Sequence, residues 1–147
     1  MIKTIFVLCE ASKADIPLLE QARIQATAFN SRLYLIHVAA PDPDFVGYDD
    51  VGPQHERDWR ADSLREEHRQ LQLRAEALIE QGIDAVALLL QGSTVTTVLN
   101  EAERLHADML IIGDHQRGTF HRILSGSDSA ETVRQAHCPV LIVPLKD

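Results

Sequence analysis

The sequence predicts an α/β fold, a doubly wound parallel sheet of five strands that alternate with four helices. Two observations support this prediction. Short apolar runs recur along the chain with almost no polar alternation, which is typical of strands covered on both faces. Between them lie segments with helical apolar spacing, and strands that alternate with helices pair in parallel through right-handed crossovers. The 147 residues have the length of one domain, so we expect a single domain over residues 1–147.

The chain opens with a strand, a helix and a second strand. Residues 2–9 are apolar almost throughout, which predicts a buried strand. Apolar residues then recur at helical spacing from Leu18 to Phe29, and Asn30 suits the left-handed position that ends a helix. Residues 32–40 repeat the pattern of the first strand. His37, near the end of this second strand, is interpreted as a packed and hydrogen-bonded strand terminus.

A loop and a long helix separate the second strand from the third. Residues 41–53 contain prolines, glycines and aspartates at a density that predicts a mobile surface loop. Residues 54–81 resume helical spacing, and Gly82 is expected to end this helix. Its many charged residues are interpreted as a solvated face. Residues 83–90 are predicted to form the third strand.

The last third of the chain supplies two more helices and two more strands. Apolar residues at helical spacing from Val95 to Leu105 predict the third helix, and residues 108–113 the fourth strand. The last helix is expected over residues 127–137 and the fifth strand over residues 139–143. If the fifth strand lies at the sheet edge, it exposes unpaired backbone groups. Pairing with its copy in a second subunit would satisfy them, so we predict a symmetric homodimer through Pro139 to Val143.

Composition and charge exclude several functional classes. The net charge of -8 repels nucleic acid phosphates, and the basic cluster of Arg117, His121 and Arg122 is too small for a duplex footprint. No apolar run approaches the roughly 20 residues of a membrane span, and no secretion signal is recognised, so we expect a cytoplasmic protein without membrane insertion. Cys9 and Cys138 are interpreted as small buried hydrophobic residues, and no metal site is predicted.

The stretch from Ile111 to Thr132 carries the strongest ligand signal. Ligands of doubly wound folds bind beyond the carboxyl ends of the strands, and this stretch follows the fourth strand. The helix start after Gly126 offers unpaired amides and a partial positive charge, which attract an anion, and Ser127 and Ser129 could donate to phosphate oxygens. The same serines can instead cap the helix, with Asp128 and Glu131 as a capping pair, so a capped helix without a ligand stays open as an alternative.

The sequence resembles the universal stress protein family along essentially its whole length. The likeness includes LIHV at residues 35–38, QGST at 91–94, ADMLIIGDH at 107–115 and the closing CPVLIVP at 138–144. The resemblance implies a Rossmann-like fold of the universal stress protein type and a stress-response regulatory role. The ATP-binding branch of this family carries G-x-x-G, nine residues and G-[ST], and Gly113, Gly126 and Ser127 match that spacing.

Four positions depart from the pattern of the ATP-binding branch. Gln116 occupies the place of the second glycine, where a positive φ would cost roughly 1 to 2 kcal/mol. Glu10 and Ala11 precede Ser12 where the family usually has Asp-Gly-Ser. Asp128 stands where the family has an uncharged residue, and its carboxylate would repel a phosphate. We therefore expect weakened or altered nucleotide binding.

The resemblance implies ATP or another adenine nucleotide, with Mg²⁺, as the ligand. The predicted nucleotide-binding residues are Glu10, Ser12, Val38, Gly113, His115, Arg117, Gly126, Ser127 and Ser129. No catalytic residue is predicted, since the sequence lacks a nucleophile elbow and a Walker A motif, and at most slow nucleotide hydrolysis is expected. Ligand occupancy is expected to change residues 114–125 and so alter contacts with an unknown regulatory partner. The alternative is a ligand-free homodimeric interaction protein of the same fold, which Gln116, Ala11 and Asp128 favour.

Overall fold

Five parallel strands form one sheet in the order β3-β2-β1-β4-β5. The structure, a computed structural model, describes residues 1–39, 53–92, 94–115 and 132–145, without the side chains of 53–60, 94 and 115. The elements in chain order are β1 Thr4–Leu8, α1 Asp15–Phe29, β2 Arg32–Ala39, α2 Pro53–Glu80, β3 Ala85–Gln91, α3 Thr94–Arg104, β4 Met109–His115 and β5 Val140–Leu145. Residues 132–135 are also helical. The predicted doubly wound α/β fold is confirmed, because the chain runs outward from β1 to β3 and then returns to the other side of β1.

The central strands are buried on both faces. Successive side chains of a strand point to opposite faces, so Val7 and Leu35 belong to the core cluster that packs against α1 and α2. Phe6 and Ile36 belong to a second cluster, which includes residues of α3. All four side chains are completely buried, and each contributes roughly 1.5 to 3 kcal/mol by leaving water. The unbroken apolar runs of the sequence follow from this burial on both faces.

The helices begin and end close to their predicted bounds. Asn30 ends α1 with φ 56° and ψ 49°, and its amide donates to the Ala26 carbonyl, as its residue type predicts. Phe29 is 40% exposed, so the buried stripe of α1 ends one turn earlier than its spacing suggests. Gly82 follows α2 with φ +88°. Within the described ranges, no helix is both long and apolar enough to cross a bilayer.

The fifth strand lies at the sheet edge, as expected, but it is longer than predicted. It continues two residues beyond Val143, to Leu145, and β4 pairs with it as far as His115 opposite Leu145. Pro144 is tolerated there because an edge strand leaves one row of backbone groups without a ladder partner. Ile142 is 42% exposed on this strand.

The two cysteines differ in burial. Cys9 is only 2% exposed and belongs to the core between the sheet and helices α1 and α2, which confirms the prediction for this residue. Cys138 is only partly buried, so its interpretation as a buried hydrophobic residue is wrong. It lies just before β5, and it lines an open cavity together with His106 and His137.

Candidate functional site

The candidate site lies at the carboxyl ends of β1, β2 and β4. The strand order reverses between β1 and β4, because β2 and β3 lie on one side of β1 while β4 and β5 lie on the other. Open α/β sheets bind ligands in the crevice at such a reversal. Glu10 and Ser12 follow β1, Val38 lies near the end of β2, and His115 ends β4. Four of the predicted binding residues therefore lie at the carboxyl ends of three neighbouring strands.

The turn after β1 is organised around the buried carboxylate of Asp15. One oxygen of this carboxylate accepts the Glu10 amide at 2.7 Å, and the other accepts the amides of Ala11 and Ser12 at 2.8 and 3.3 Å. Burial raises the pKa of Asp15, while the three amides and the nearby Arg74 guanidinium oppose that rise. The backbone donors of this turn are thus engaged by the chain's own carboxylate. A ligand near this turn would meet the side chains of Glu10 and Ser12.

Ala11 takes the left-handed conformation that its place in the turn requires. Its φ is +60°, at the position where the resemblance implies a glycine. A non-glycine residue pays roughly 1 to 2 kcal/mol for this conformation, so the backbone shape of the turn persists without its glycine. The contacts of Asp15 explain how it persists. Sequence reasoning missed Asp15, although an acidic residue in the first turn of a helix is a recognised signal for backbone contacts near the helix start.

The ends of β1 and β2 are joined through His37. Its Nδ1 lies 3.0 Å from the Cys9 carbonyl oxygen, and the side chain is 8% exposed. The interpretation of His37 as a packed and hydrogen-bonded strand terminus is confirmed. Burial, followed by the Asp15 carboxylate, raises the pKa of the Cys9 thiol well above its usual range. Cys9 therefore acts as a packing residue of the core.

Val38 points to the opposite face of the sheet from His37. It is partly buried and packs against the core cluster on the α3 side. Its backbone pairs with Leu90 of β3. An apolar, partly exposed side chain at the end of a central strand offers a flat contact for a ligand that lies over the sheet edge.

Gly113 lies inside β4, opposite Val143 of β5. The prediction that the fourth strand ends at residue 113 is wrong, because the pairing with β5 carries β4 on to His115. Gly113 is not among the residues with positive φ. A Cβ atom at this position would lie 2.5 Å from Leu145 Cδ1, so packing of β5 explains the absence of a side chain. The side chain of His115 is not among those described.

The remaining predicted site residues lie outside the described residues. These are Arg117, Gly126, Ser127 and Ser129. Gln116 and Asp128, the two departures from the family pattern that follow β4, lie outside them as well. The structure therefore describes only the part of the site that lies at the ends of β1, β2 and β4.

Comparisons with known proteins agree on one family. The family model described as the universal stress protein family matches residues 1–144. A curated universal stress protein from Thermus aquaticus is 31% identical over 144 residues, which cover 97% of this chain and 99% of the relative. Among solved structures, the universal stress protein UspA from Lactobacillus plantarum has a TM-score of 0.74 at 19% identity, with 97% of each chain covered.

Two further similar structures contain an adenine nucleotide. A universal stress protein from Archaeoglobus fulgidus in complex with dAMP has a TM-score of 0.62 at 16% identity, covering 97% of this chain and 98% of that one. A family protein from Arabidopsis thaliana with AMP bound has a TM-score of 0.61 at 20% identity, covering 97% of this chain and 91% of that one. At these identities the likeness shows a shared fold, and the ligands are those of the two relatives.

Proposed function

The chain belongs to the universal stress protein family, and on that premise we propose that it is a regulatory protein that binds an adenine nucleotide at the carboxyl ends of β1, β2 and β4. One observation carries the proposal. Glu10, Val38 and His115 come from distant parts of the sequence and meet beside the reversal of strand order between β1 and β4. Similar proteins of this fold hold AMP and dAMP.

Each part of the proposed pocket suits one part of the nucleotide. The Glu10 carboxylate would accept a hydrogen bond from the exocyclic amine of adenine, and the partly buried Val38 would contact the base. The helix start at Gly126 and Ser127 would hold the phosphates with its amides, and Arg117 would add a positive charge. Ser12, Gly113, His115 and Ser129 complete the proposed set. With ATP, a bound Mg²⁺ would offset the carboxylate of Asp128.

The proposed output is a change in protein contacts. Nucleotide occupancy would change residues 114–125, and a regulatory partner would recognise the altered surface. We propose a cytoplasmic homodimer, formed through Pro139 to Val143, as the acting form. The edge position of β5 and the exposure of Ile142 support this interface, because an apolar edge strand gains hydrogen bonds and loses exposed surface on pairing. Catalysis is not part of the proposal.

Equilibrium dialysis with labelled ATP and AMP, with and without Mg²⁺, tests the binding proposal. We expect saturable binding of at least one nucleotide below millimolar concentration. Val38→Asp should weaken that binding at least about tenfold, because it adds a carboxylate beside the base and near the phosphates. Val86→Asp is the matched control, since Val86 is another partly buried strand residue but lies at the opposite end of its strand. No binding of either nucleotide at millimolar concentration would contradict the proposal.

A second candidate is a ligand-free interaction protein with the same fold and dimer edge. Two observations favour it: Asp15 already engages the amides of the first turn, and Leu145 fills the space above Gly113. The double variant Gln116→Gly and Asp128→Val separates the candidates. If nucleotide affinity appears only in the double variant, the natural chain is the ligand-free protein.

A further inference from the structure

A partly buried histidine–carboxylate contact lies beneath α2, on the face of the sheet opposite Val38. His37 Nε2 lies 3.3 Å from Glu67 Oε2, and the two side chains are 11% and 34% exposed. The other ring nitrogen, Nδ1, lies 3.0 Å from the Cys9 carbonyl oxygen. One imidazole ring thus bridges β1, β2 and α2. The proposed nucleotide pocket does not use this pair.

The two oxygen atoms next to the His37 ring determine how many protons the ring carries. A carbonyl oxygen and a carboxylate oxygen both accept hydrogen bonds and cannot donate them, whereas a neutral imidazole carries a single N–H. A neutral ring with its proton on Nδ1 turns the Nε2 lone pair toward Glu67 Oε2, and a neutral ring with its proton on Nε2 turns the Nδ1 lone pair toward the Cys9 carbonyl oxygen. Either arrangement places two acceptors against each other, and a second proton on the ring removes that repulsion. The closed arrangement therefore holds one proton more than a neutral imidazole beside an ionised carboxylate.

Nothing else in the described residues satisfies this carboxylate oxygen. Glu67 Oε2 is buried and has no aligned hydrogen-bond partner there, although His37 lies within ion-pair distance. The other titratable and charged groups around the pair are Cys9 and Glu10 at the end of β1, Asp15 on α1, and His68 and Arg74 on α2. Asp15 accepts hydrogen bonds from three amides and its carboxylate lies 3.4 Å from Arg74 Nη1, so the charges of Asp15 and Arg74 compensate each other. The shared proton is consequently the main link between His37 and α2.

Residues 61–70, the segment of α2 around Glu67, have little other anchorage among the described side chains. Leu71, Ala75 and Leu78 are buried in the core and hold residues 71–80 of the helix. By contrast, none of residues 61–70 is fully buried. Segments with few buried apolar contacts open at lower free energy than the core of a domain. Residues 61–70 are thus the segment of the described part of α2 whose position depends most on the His37–Glu67 contact.

We propose that His37 and Glu67 form a proton-dependent latch that holds residues 61–70 of α2 against the end of β2. With the shared proton bound, the ring donates to Cys9 and to Glu67, and the latch is closed. When the proton leaves, a ring lone pair faces either the Cys9 carbonyl or the Glu67 carboxylate, so the ring is no longer held from both sides and residues 61–70 detach more often. The latch therefore closes toward acid and opens toward alkaline pH. It does not depend on nucleotide binding.

Amide hydrogen exchange and imidazole NMR on the wild-type chain test the latch. Protection factors, corrected for the intrinsic pH dependence of exchange, are compared at about pH 5.5 and about pH 8.5. Those of residues 61–70 should fall about tenfold toward alkaline pH while those of residues 71–80 stay constant. The His37 ring should carry protons on both nitrogens at the acidic end and on only one of them at the alkaline end. Equal protection of residues 61–70 at both pH values overturns the proposal.

Glu67→Gln isolates the role of the carboxylate. A glutamine amide can donate to a neutral Nε2 and its oxygen can accept from a protonated one, so this variant should keep residues 61–70 protected at both pH values. Glu76→Gln is the matched control, because it removes the same charge from an exposed position of the same helix and should retain the wild-type pH dependence. If Glu67→Gln shows the same tenfold loss as the wild type, the proposal is wrong.

Discussion

Two regions of the candidate site keep their shape by different means. The turn after β1 is held by polar contacts, because the Asp15 carboxylate binds three consecutive amides and lies near Arg74. The β4–β5 pair is held by apolar packing, because Leu145 lies over Gly113. The first region has lost the glycine of the family pattern at Ala11 and keeps its left-handed backbone. The second has kept its glycine at a position where φ is not left-handed.

The difference teaches that a motif residue has to be judged by its contacts. Ala11 counts against a ligand site when only the motif is considered, yet the turn that it belongs to is intact. Gly113 counts in favour of a ligand site by the same criterion, yet the packing of Leu145 in β5 requires a glycine there whether or not a ligand binds. The positions of Glu10, Val38 and His115 at the carboxyl ends of neighbouring strands are therefore stronger evidence for a nucleotide site than the residue type at position 11 or 113.

The largest effect is expected from removing the carboxylate at the centre of the polar region. Asp15→Ala leaves three amides without their acceptor and Arg74 without its nearest negative charge, so it should lower the free energy of unfolding by about 3 to 5 kcal/mol. Urea denaturation followed by circular dichroism measures the change. Asp62→Ala removes an exposed carboxylate paired with Arg65 and should stay within about 0.5 kcal/mol of the wild type. Similar losses in both variants would show that the polar contacts of the turn do not stabilise it.

The packing region is tested by adding one methyl group. Gly113→Ala places a Cβ atom 2.5 Å from Leu145 Cδ1, so Leu145 has to move, and we expect a loss of about 1 to 3 kcal/mol. A double-mutant cycle with Leu145→Ala measures the coupling. The two changes together should cost less than the sum of the separate costs, because the alanine at 145 makes room for the new methyl group. Additive costs would mean that Leu145 does not determine the need for glycine at this position.

A smaller effect of opposite sign is expected at the lost glycine. Ala11→Gly should raise the free energy of unfolding by up to about 1 kcal/mol, because glycine adopts φ +60° without the clash that alanine suffers. Ala14→Gly provides the control: Ala14 has φ -62° and ψ -20°, where glycine only adds freedom to the unfolded chain and should destabilise. Urea midpoints of the two variants should therefore move in opposite directions. A shift of both toward lower urea would contradict the account of strain at Ala11.

Local patterns in the sequence were sufficient to predict the fold. The strands are continuous apolar runs because both faces of the sheet are covered, and Asn30 marks a helix end through its own backbone preference. Each of these signals comes from residues close together in the chain, so it does not depend on how distant segments pack against one another.

The contacts within the site could not be predicted in the same way. Arg74 reaches Asp15, Glu67 reaches His37 and Leu145 reaches Gly113 across long stretches of sequence. Each of these contacts depends on which face of a helix or strand meets which neighbour, and on the direction of a side chain. Asp15 had a local signal as an acidic residue in the first turn of a helix, but nothing local indicated that its carboxylate would turn back to the amides of residues 10–12.

The smallest expected effect is the proton equilibrium of Asp15 itself. Burial raises its pKa above the ordinary carboxyl value, and the three amides and Arg74 only partly oppose that rise. The folded chain therefore binds this proton more tightly than the unfolded chain does. The contribution of Asp15 to the free energy of unfolding should consequently fall as pH rises from below the unfolded value through the folded one. Carboxyl ¹³C NMR against pH measures the midpoint of Asp15 in the folded chain and in the urea-unfolded chain. A folded midpoint below the unfolded one would mean that the amides outweigh burial, and that the polar region gains stability with rising pH instead of losing it.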